Sequence, residues 1–202
     1  MSNDPKNIKI VLLGETGCGK TSLINRFIHN TFDPYQESTI GANYYSKTLN
    51  SHNVILKLNL WDTTGKERYE GIATLYSKQA DAFLIVCQCN QENPSSTITK
   101  YIEKYIKVNQ RKDTQVFIVI NKIDMRTEES SYSISEIEKK ADELQYCIFK
   151  VSAMDGTMVN EMFEKITERI YKASEAMVRT SINLKTSTKM QPLYERKKSN
   201  CC

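Results

Sequence analysis

A largely apolar run, Ile8-Lys9-Ile10-Val11-Leu12-Leu13, leads directly into Gly14-Glu-Thr-Gly-Cys-Gly-Lys-Thr21, a complete G-x-x-x-x-G-K-T phosphate loop. This constrains the fold more than any other feature, because the loop works only between a strand and the N-terminus of a helix. Several backbone N–H groups must converge on anionic oxygens, so Gly14, Gly17 and Gly19 keep side chains out of the turn. A helix beginning near Lys20 adds the positive end of its dipole. Lys20 is placed to reach the β- and γ-phosphates as a point charge, and the Thr21 hydroxyl to ligate Mg²⁺. Glu15, Thr16, Gly17, Cys18, Gly19, Lys20, Thr21 and Ser22 are the expected phosphate-side residues.

Further strands are predicted at Ala42 to Leu49, Val54 to Trp61, Ala82 to Cys87, Val116 to Ile120 and Cys147 to Val151. Helical patterns lie between them. One follows Asn93-Pro94 and places Ile98, Ile102, Tyr105 and Ile106 on one face. Another runs to about Gln145 from overlapping capping boxes at Ser133 and Ser135. The last carries the stripe Val159, Met162, Phe163, Ile166 and Ile170. Strands alternating with helices predict an α/β fold, a six-stranded and mainly parallel sheet flanked by about five helices. The short Ser51-His52-Asn53 connection makes one pair antiparallel. In such sheets the ligand sits beyond the carboxyl ends of the strands. Gly14 to Thr21, Asp62 to Gly65, Asn121 to Asp124, and Ser152, Ala153 and Met154 all fall there.

The chain of 202 residues suits one well-buried domain. Its net charge of +4 is unevenly spread: residues 172–202 carry seven Lys and Arg against two Asp and Glu, net +5, leaving −1 on residues 1–171. A near-neutral domain lacks the footprint of a duplex-binding protein, so no nucleic acid is expected as a partner. The polar N-terminus and the absence of a long apolar stretch lead to an expectation of cytosolic residence with reduced cysteines. Alternation puts Cys87 and Cys89 on one strand face, which favours packing over metal binding. The apolar period decays from Ala173, so residues 1–172 are read as the folded domain and 173–202 as a flexible tail. No oligomer beyond a monomer is suggested.

Asn121-Lys122-Ile123-Asp124 follows a strand about 100 residues after the phosphate loop and supplies the chemistry that guanine requires. Asp124 can accept from the ring N–H and the exocyclic amine, whereas adenine would leave the carboxylate unmatched. Asn121 braces the site, and the Lys122 stem can cover the base. Asp62 ends a strand with its carboxylate toward the metal, and the Gly65 N–H can reach a γ-phosphate, so loss of that phosphate would release the segment. Thr39, in the loop before the second strand, is the second hydroxyl ligand expected for Mg²⁺.

In this order, Gly-Glu-Thr-Gly-Cys-Gly-Lys-Thr-Ser, Ser38-Thr39-Ile40-Gly41, Trp61-Asp-Thr-Thr-Gly, Asn-Lys-Ile-Asp and Ser152-Ala153-Met154 resemble the Ras superfamily of small GTPases, and within it the Rab family. The resemblance spans about residues 7–172 plus the last two. It implies a phosphate-loop small-GTPase fold and a GDP/GTP switch with Mg²⁺ that directs vesicle traffic. The implied partners are an exchange factor, an activating protein, a GDP-dissociation inhibitor and effectors. Phe32 would edge the guanine, the Ala153 N–H would meet its carbonyl, and Tyr44, Trp61 and Tyr76 would face effectors. Cys201 and Cys202 resemble a double prenylation site, with Arg196-Lys197-Lys198 upstream, implying residence on the cytoplasmic face of intracellular membranes.

The chain also departs from its family. Lys66 stands where glutamine usually orients the attacking water, and an ammonium donates hydrogen bonds but accepts none. With Gly65, Lys20 and Thr39 as the other expected catalytic groups, hydrolysis should be slow. Thr64 replaces the usual alanine, and Cys87-Gln-Cys-Asn90 replaces Tyr-Asp-x-Thr. A GTP-binding adaptor with negligible hydrolysis and a phosphate-loop nucleoside kinase are the competing readings.

Overall fold

A computed structural model describes residues 5–187 except 52, 53, 110, 112 and 129. The six strands are β1 (Lys6–Leu13), β2 (Ala42–Ser51), β3 (Val54–Thr63), β4 (Ala82–Gln88), β5 (Gln115–Asn121) and β6 (Cys147–Lys150). They form one sheet in the order β2-β3-β1-β4-β5-β6, with every pairing parallel except β2 against β3. The antiparallel register closes with Ser51 opposite Val54, as the short connection requires. The helices are α1 (Lys20–His29), α2 (Glu70–Ser77), α3 (Pro94–Tyr101), α4 (Ser130–Leu144) and α5 (Val159–Ser187).

Strand periodicity divides the core in two, because alternate side chains leave opposite faces of the sheet. Ile10, Leu12, Leu84 and Val86 pack with Leu23, Ile24 and Phe27 of α1 and Met162, Phe163 and Ile166 of α5. Val11, Leu13, Phe83, Ile85 and Cys87 face the other way, toward Ala73 of α2, Ile98 of α3 and Ile134 and Ile137 of α4. Cys87 and Cys89 therefore do pack on the same side, and burial pushes the Cys87 thiol up. No cluster of three or more metal-binding side chains exists among the described residues.

Three boundaries differ from the sequence reading. Helix α4 begins at Ser130, ahead of both expected capping boxes, because Thr127 and Ser130 cap it reciprocally. The Thr127 N–H donates to Ser130 Oγ at 2.9 Å and the Ser130 N–H to Thr127 Oγ1 at 3.3 Å. Ser133 lies a turn further on, buried, where its hydroxyl donates to the Gln91 carbonyl at 2.8 Å. Helix α3 passes into a π-helical turn at Ile102–Ile106, in which the Lys107 N–H reaches the Ile102 carbonyl. Tyr101 joins Ile98 and Tyr105 in the core, while Ile102 and Ile106 are half-buried.

Residues 173–187, expected to be flexible, continue α5. Among the described side chains, Ile170 is the last core residue of this helix. The apolar period decays where the described side chains after Tyr171 become half-buried or exposed, and helix-favouring residues such as Ala173, Glu175 and Ala176 carry the helix on. Tyr171 donates to Glu175 at 2.7 Å, and the Ser174 hydroxyl to the Tyr171 carbonyl at 2.7 Å. Cys201, Cys202 and Arg196 to Lys198 lie outside the described residues. No described helix is long and apolar enough to cross a membrane.

Phe163 of α5 is fully buried and stacks on Phe27 of α1 with ring centroids 4.1 Å apart. Phe163→Ala is expected to lower the unfolding free energy by about 3–5 kcal/mol in urea denaturation. A loss below about 1 kcal/mol would mean that the site collapses around the cavity.

Candidate nucleotide site

The carboxyl ends of β1, β3 and β5, with the loop after β6, surround a cleft of about 420 Å³. Thr16, Gly17, Gly19, Lys20, Thr21, Ser22, Phe32, Thr39, Gly65, Asn121, Lys122, Asp124, Ala153 and Met154 line it. The four segments singled out by sequence therefore meet.

At one end, Gly19 caps α1 in the left-handed region, with φ of 94°. A Cβ there would lie 2.3 Å from Asn121 Nδ2, so glycine is required by both backbone and space. Lys20 is buried and folds over the loop, donating to the carbonyls of Gly14 at 2.8 Å and Glu15 at 2.9 Å. These bonds fix the ammonium within the phosphate loop. The Glu15 side chain braces the loop from behind. Its carboxylate accepts from Gln91 Nε2 at 2.6 Å and Thr97 Oγ1 at 3.4 Å, which ties the loop to the start of α3. Cys18 is buried and contributes its carbonyl to Asn121.

Beside the phosphate loop, Asp62 is fully buried at the end of β3. Its Oδ2 accepts from Thr21 Oγ1 at 2.7 Å and from Thr39 Oγ1 at 3.1 Å, and the two hydroxyls are 2.9 Å apart. Asp62 Oδ1 is buried with no hydrogen-bond partner. Burial pushes the Asp62 carboxyl above the usual range, against the Thr21 hydrogen bond, the Lys20 charge and the Thr39 hydrogen bond. An orphaned carboxylate oxygen beside two hydroxyls is a hard-oxygen donor set with one protein charge. That fits Mg²⁺, which is held by one or two carboxylates together with phosphates and water.

At the opposite end, Asn121 is buried and spans two loops. Its Nδ2 donates to the Cys18 carbonyl at 2.9 Å, and its Oδ1 accepts the Ala153 N–H at 3.1 Å. The Ala153 N–H, expected to meet the base carbonyl, is thus already engaged within the protein. Asp124 Oδ1 accepts from the Ser152 hydroxyl, and a carboxylate has acceptor capacity for further donors. Lys122 sits in the left-handed region, with φ of 65°, and donates to Gln88 Oε1 at 2.9 Å.

Gly65 backs onto the phosphate loop so closely that a Cβ would lie 2.2 Å from the Thr16 nitrogen. The Thr64 N–H donates to the Gly41 carbonyl at 2.9 Å, and the Thr64 hydroxyl accepts the Lys66 N–H at 3.2 Å. Lys66 is half-buried and is not part of the cleft lining. Tyr44 of β2, Trp61 of β3 and Tyr76 of α2 form a continuous aromatic group, with centroid separations of 5.2 and 4.1 Å.

Sequence reasoning missed Asp33, Pro34, Gln36 and Glu37, which line the cleft from the loop after α1, and also Met125. It also missed Arg26, whose guanidinium reaches the loop after β6. A basic residue in the last turn of α1 was the one available signal. Asn121→Ala removes both of its bridges, so the variant should bind GDP at least about tenfold more weakly while keeping its fold. Titration calorimetry with circular dichroism as control checks this.

The family model of the Ras family matches residues 9–172. GTP-binding protein ypt5 of Schizosaccharomyces pombe is 34% identical over 175 residues, covering 82% of this chain and 81% of that protein. Ras-related protein Rab5 of Nicotiana tabacum is 32% identical over 196 residues, 97% of this chain and 95% of its own length. Ras-related protein RABF2a of Arabidopsis thaliana is 31% identical over 196 residues with the same coverage. A phosphate loop, a buried aspartate and a guanine-type loop meeting at the strand ends, matched over nearly the whole chain, place this protein in the Ras family as a GTP-hydrolysing small GTPase of Rab type.

Proposed function

We propose that this GTPase is a GDP/GTP switch of vesicle traffic whose own hydrolysis is slowed by Lys66. The observation that carries the switch is the junction at the phosphate end of the cleft. Thr39 from the loop before β2 and Thr64-Gly65 from the end of β3 are joined through Asp62, Thr21 and the Gly41 carbonyl. Groups facing a γ-phosphate are therefore hydrogen-bonded to one another. They also continue into the strand pair that displays Tyr44 and Trp61. A contact made only with a triphosphate can bias that pair, and effectors would read the result on the aromatic group.

Asp124 selects guanine, with Phe32, Lys122 and Ala153 around the base. Thr21, Thr39 and Asp62 are the Mg²⁺-holding residues, and the bound ion would offset phosphate charge. Lys20 and the Gly65 N–H stabilise charge on the transferred phosphoryl group, while Lys66 offers the attacking water no acceptor. An activating protein that brings its own water-orienting group would restore turnover. The remaining partners would be an exchange factor, a GDP-dissociation inhibitor and effectors. Cys201 and Cys202 would carry the lipids that hold the protein on intracellular membranes.

Single-turnover GTP hydrolysis tests the central point. Lys66→Gln should raise the intrinsic rate by about tenfold, the kinetic equivalent of one hydrogen bond. An unchanged rate would remove Lys66 as the cause of slow turnover. Unmeasurable wild-type turnover, even with an activating protein, would make the protein a scaffold. Chelating Mg²⁺ should accelerate GDP release from the wild type, and Asp62→Asn should release GDP quickly whether or not Mg²⁺ is present. A variant that kept the full Mg²⁺ effect would place the ion elsewhere.

A further inference from the structure

Arg26 belongs to α1, the helix whose first residues are Lys20 and Thr21, yet its guanidinium is spent at the other end of the cleft. Nε donates to the Ala153 carbonyl at 2.9 Å and Nη2 to the Met154 carbonyl at 2.6 Å. Nη1 donates to the Asn30 carbonyl at 3.0 Å and to Asn30 Oδ1 at 3.3 Å. The loop after β6 also packs on the arginine stem, since a Cβ on Gly156 would lie 3.5 Å from Arg26 Cδ.

Two consecutive carbonyls held by one planar fork leave a loop little freedom. In a trans peptide the N–H points opposite to the C=O, so drawing the Ala153 carbonyl toward Arg26 turns the Met154 N–H away from it. Likewise, fixing the Met154 carbonyl fixes the Asp155 N–H, which donates to Ser152 Oγ at 3.3 Å. Ser152 Oγ in turn donates to Asp124 Oδ1. A chain of hydrogen bonds thus runs from Arg26 through Met154, Asp155 and Ser152 to the carboxylate assigned to the base.

We propose that Arg26 is a positioning residue for purine recognition. It locks the loop from Ser152 to Met154 and, through Ser152, the Asp124 carboxylate, and it anchors both to the helix that carries the phosphate-binding residues. This role rests on the guanine-nucleotide reading above. Lysine cannot replace it, because a single ammonium lacks the fork that engages adjacent carbonyls together.

The test is the release of fluorescent GDP and IDP from the full chain loaded with Mg²⁺, for the wild type, Arg26→Ala, Arg26→Lys and Asn30→Gly. IDP lacks the 2-amino group that Asp124 would read, so the ratio of its release rate to that of GDP reports on the placement of that carboxylate. Arg26→Ala should release GDP about tenfold faster and narrow the ratio several-fold. Arg26→Lys should resemble it more closely than the wild type. Asn30→Gly, which removes only a side-chain acceptor and suits the left-handed cap, should change neither quantity. Should Arg26→Ala fail to fold by circular dichroism, Arg26→Lys, which keeps the charge and stem, decides alone. Unchanged GDP release, or equal acceleration of GDP and IDP, would reduce Arg26 to a cap for α1 and overturn the proposal. A wild type that held ADP as firmly as GDP would instead overturn the purine reading itself, and this role with it.

Discussion

The nucleotide site depends on a buried amide. Asn121 donates to the phosphate loop through the Cys18 carbonyl and accepts from the base-side loop through the Ala153 N–H. Both partners are backbone groups far away in sequence, so their relative placement is set by the sheet that delivers Asn121. The same amide dictates Gly19, because any side chain there would occupy the position of Nδ2. A buried amide in this position must have both bonds satisfied, which penalises any loop arrangement that breaks either one.

Arg26 repeats this logic from outside the cleft. Asn121 fixes the base-side loop relative to β5 and the phosphate loop, while Arg26 fixes it relative to α1. The two attach to different faces of the same short segment, since Asn121 takes the Ala153 N–H and Arg26 the Ala153 carbonyl. Two adjacent peptide groups, one held by its N–H and the next by its carbonyl, present a defined edge to a ligand before the ligand arrives. Pre-organisation of this kind lowers the ordering cost of binding.

Much of this was legible in the sequence, for a reason particular to the site. Each segment of the cleft follows directly on a strand, so strand prediction and local chemistry together locate Thr21, Asp62, Asn121 and Asp124. What was not legible depends on contacts between distant segments. Nothing local to Glu15 reveals that Gln91 and Thr97 claim its carboxylate, and nothing near Arg26 points to residues more than a hundred positions away. The start of α4 was misplaced for a different reason. A reciprocal Thr127 and Ser130 cap carries none of the glutamate signal by which a capping box is recognised, whereas Ser133 carries it and is used instead to hold Gln91. The end of α5 was misread because apolar periodicity reports burial, and a helix can outlast its buried face.

The departures from family pattern fall into two physical kinds. Gln88 stands where an aspartate is usual, yet its Oε1 still accepts from Lys122 Nζ at 2.9 Å, so the hydrogen bond is kept while the charge pairing is lost. Cys89 adds a thiol donor to the Lys122 carbonyl at 3.1 Å. The base-side geometry therefore tolerates the change. Thr64 and Lys66 act where the phosphate meets the sheet. The Thr64 hydroxyl takes the Lys66 N–H, and the Thr64 N–H reaches the Gly41 carbonyl, extending the β2-β3 ladder one step past the pairing of Ala42 with Thr63. The hydroxyl that threonine adds relative to alanine thus ties down the turn that carries residue 66, and the residue so held is a donor rather than an acceptor. The hydrogen bond is kept at the base end of the cleft, while at the phosphate end a donor stands where the family has an acceptor. On the function proposed above, such a division would suit a switch whose turnover is set by a partner, because affinity for the nucleotide and the rate of its hydrolysis would then rest on separate groups.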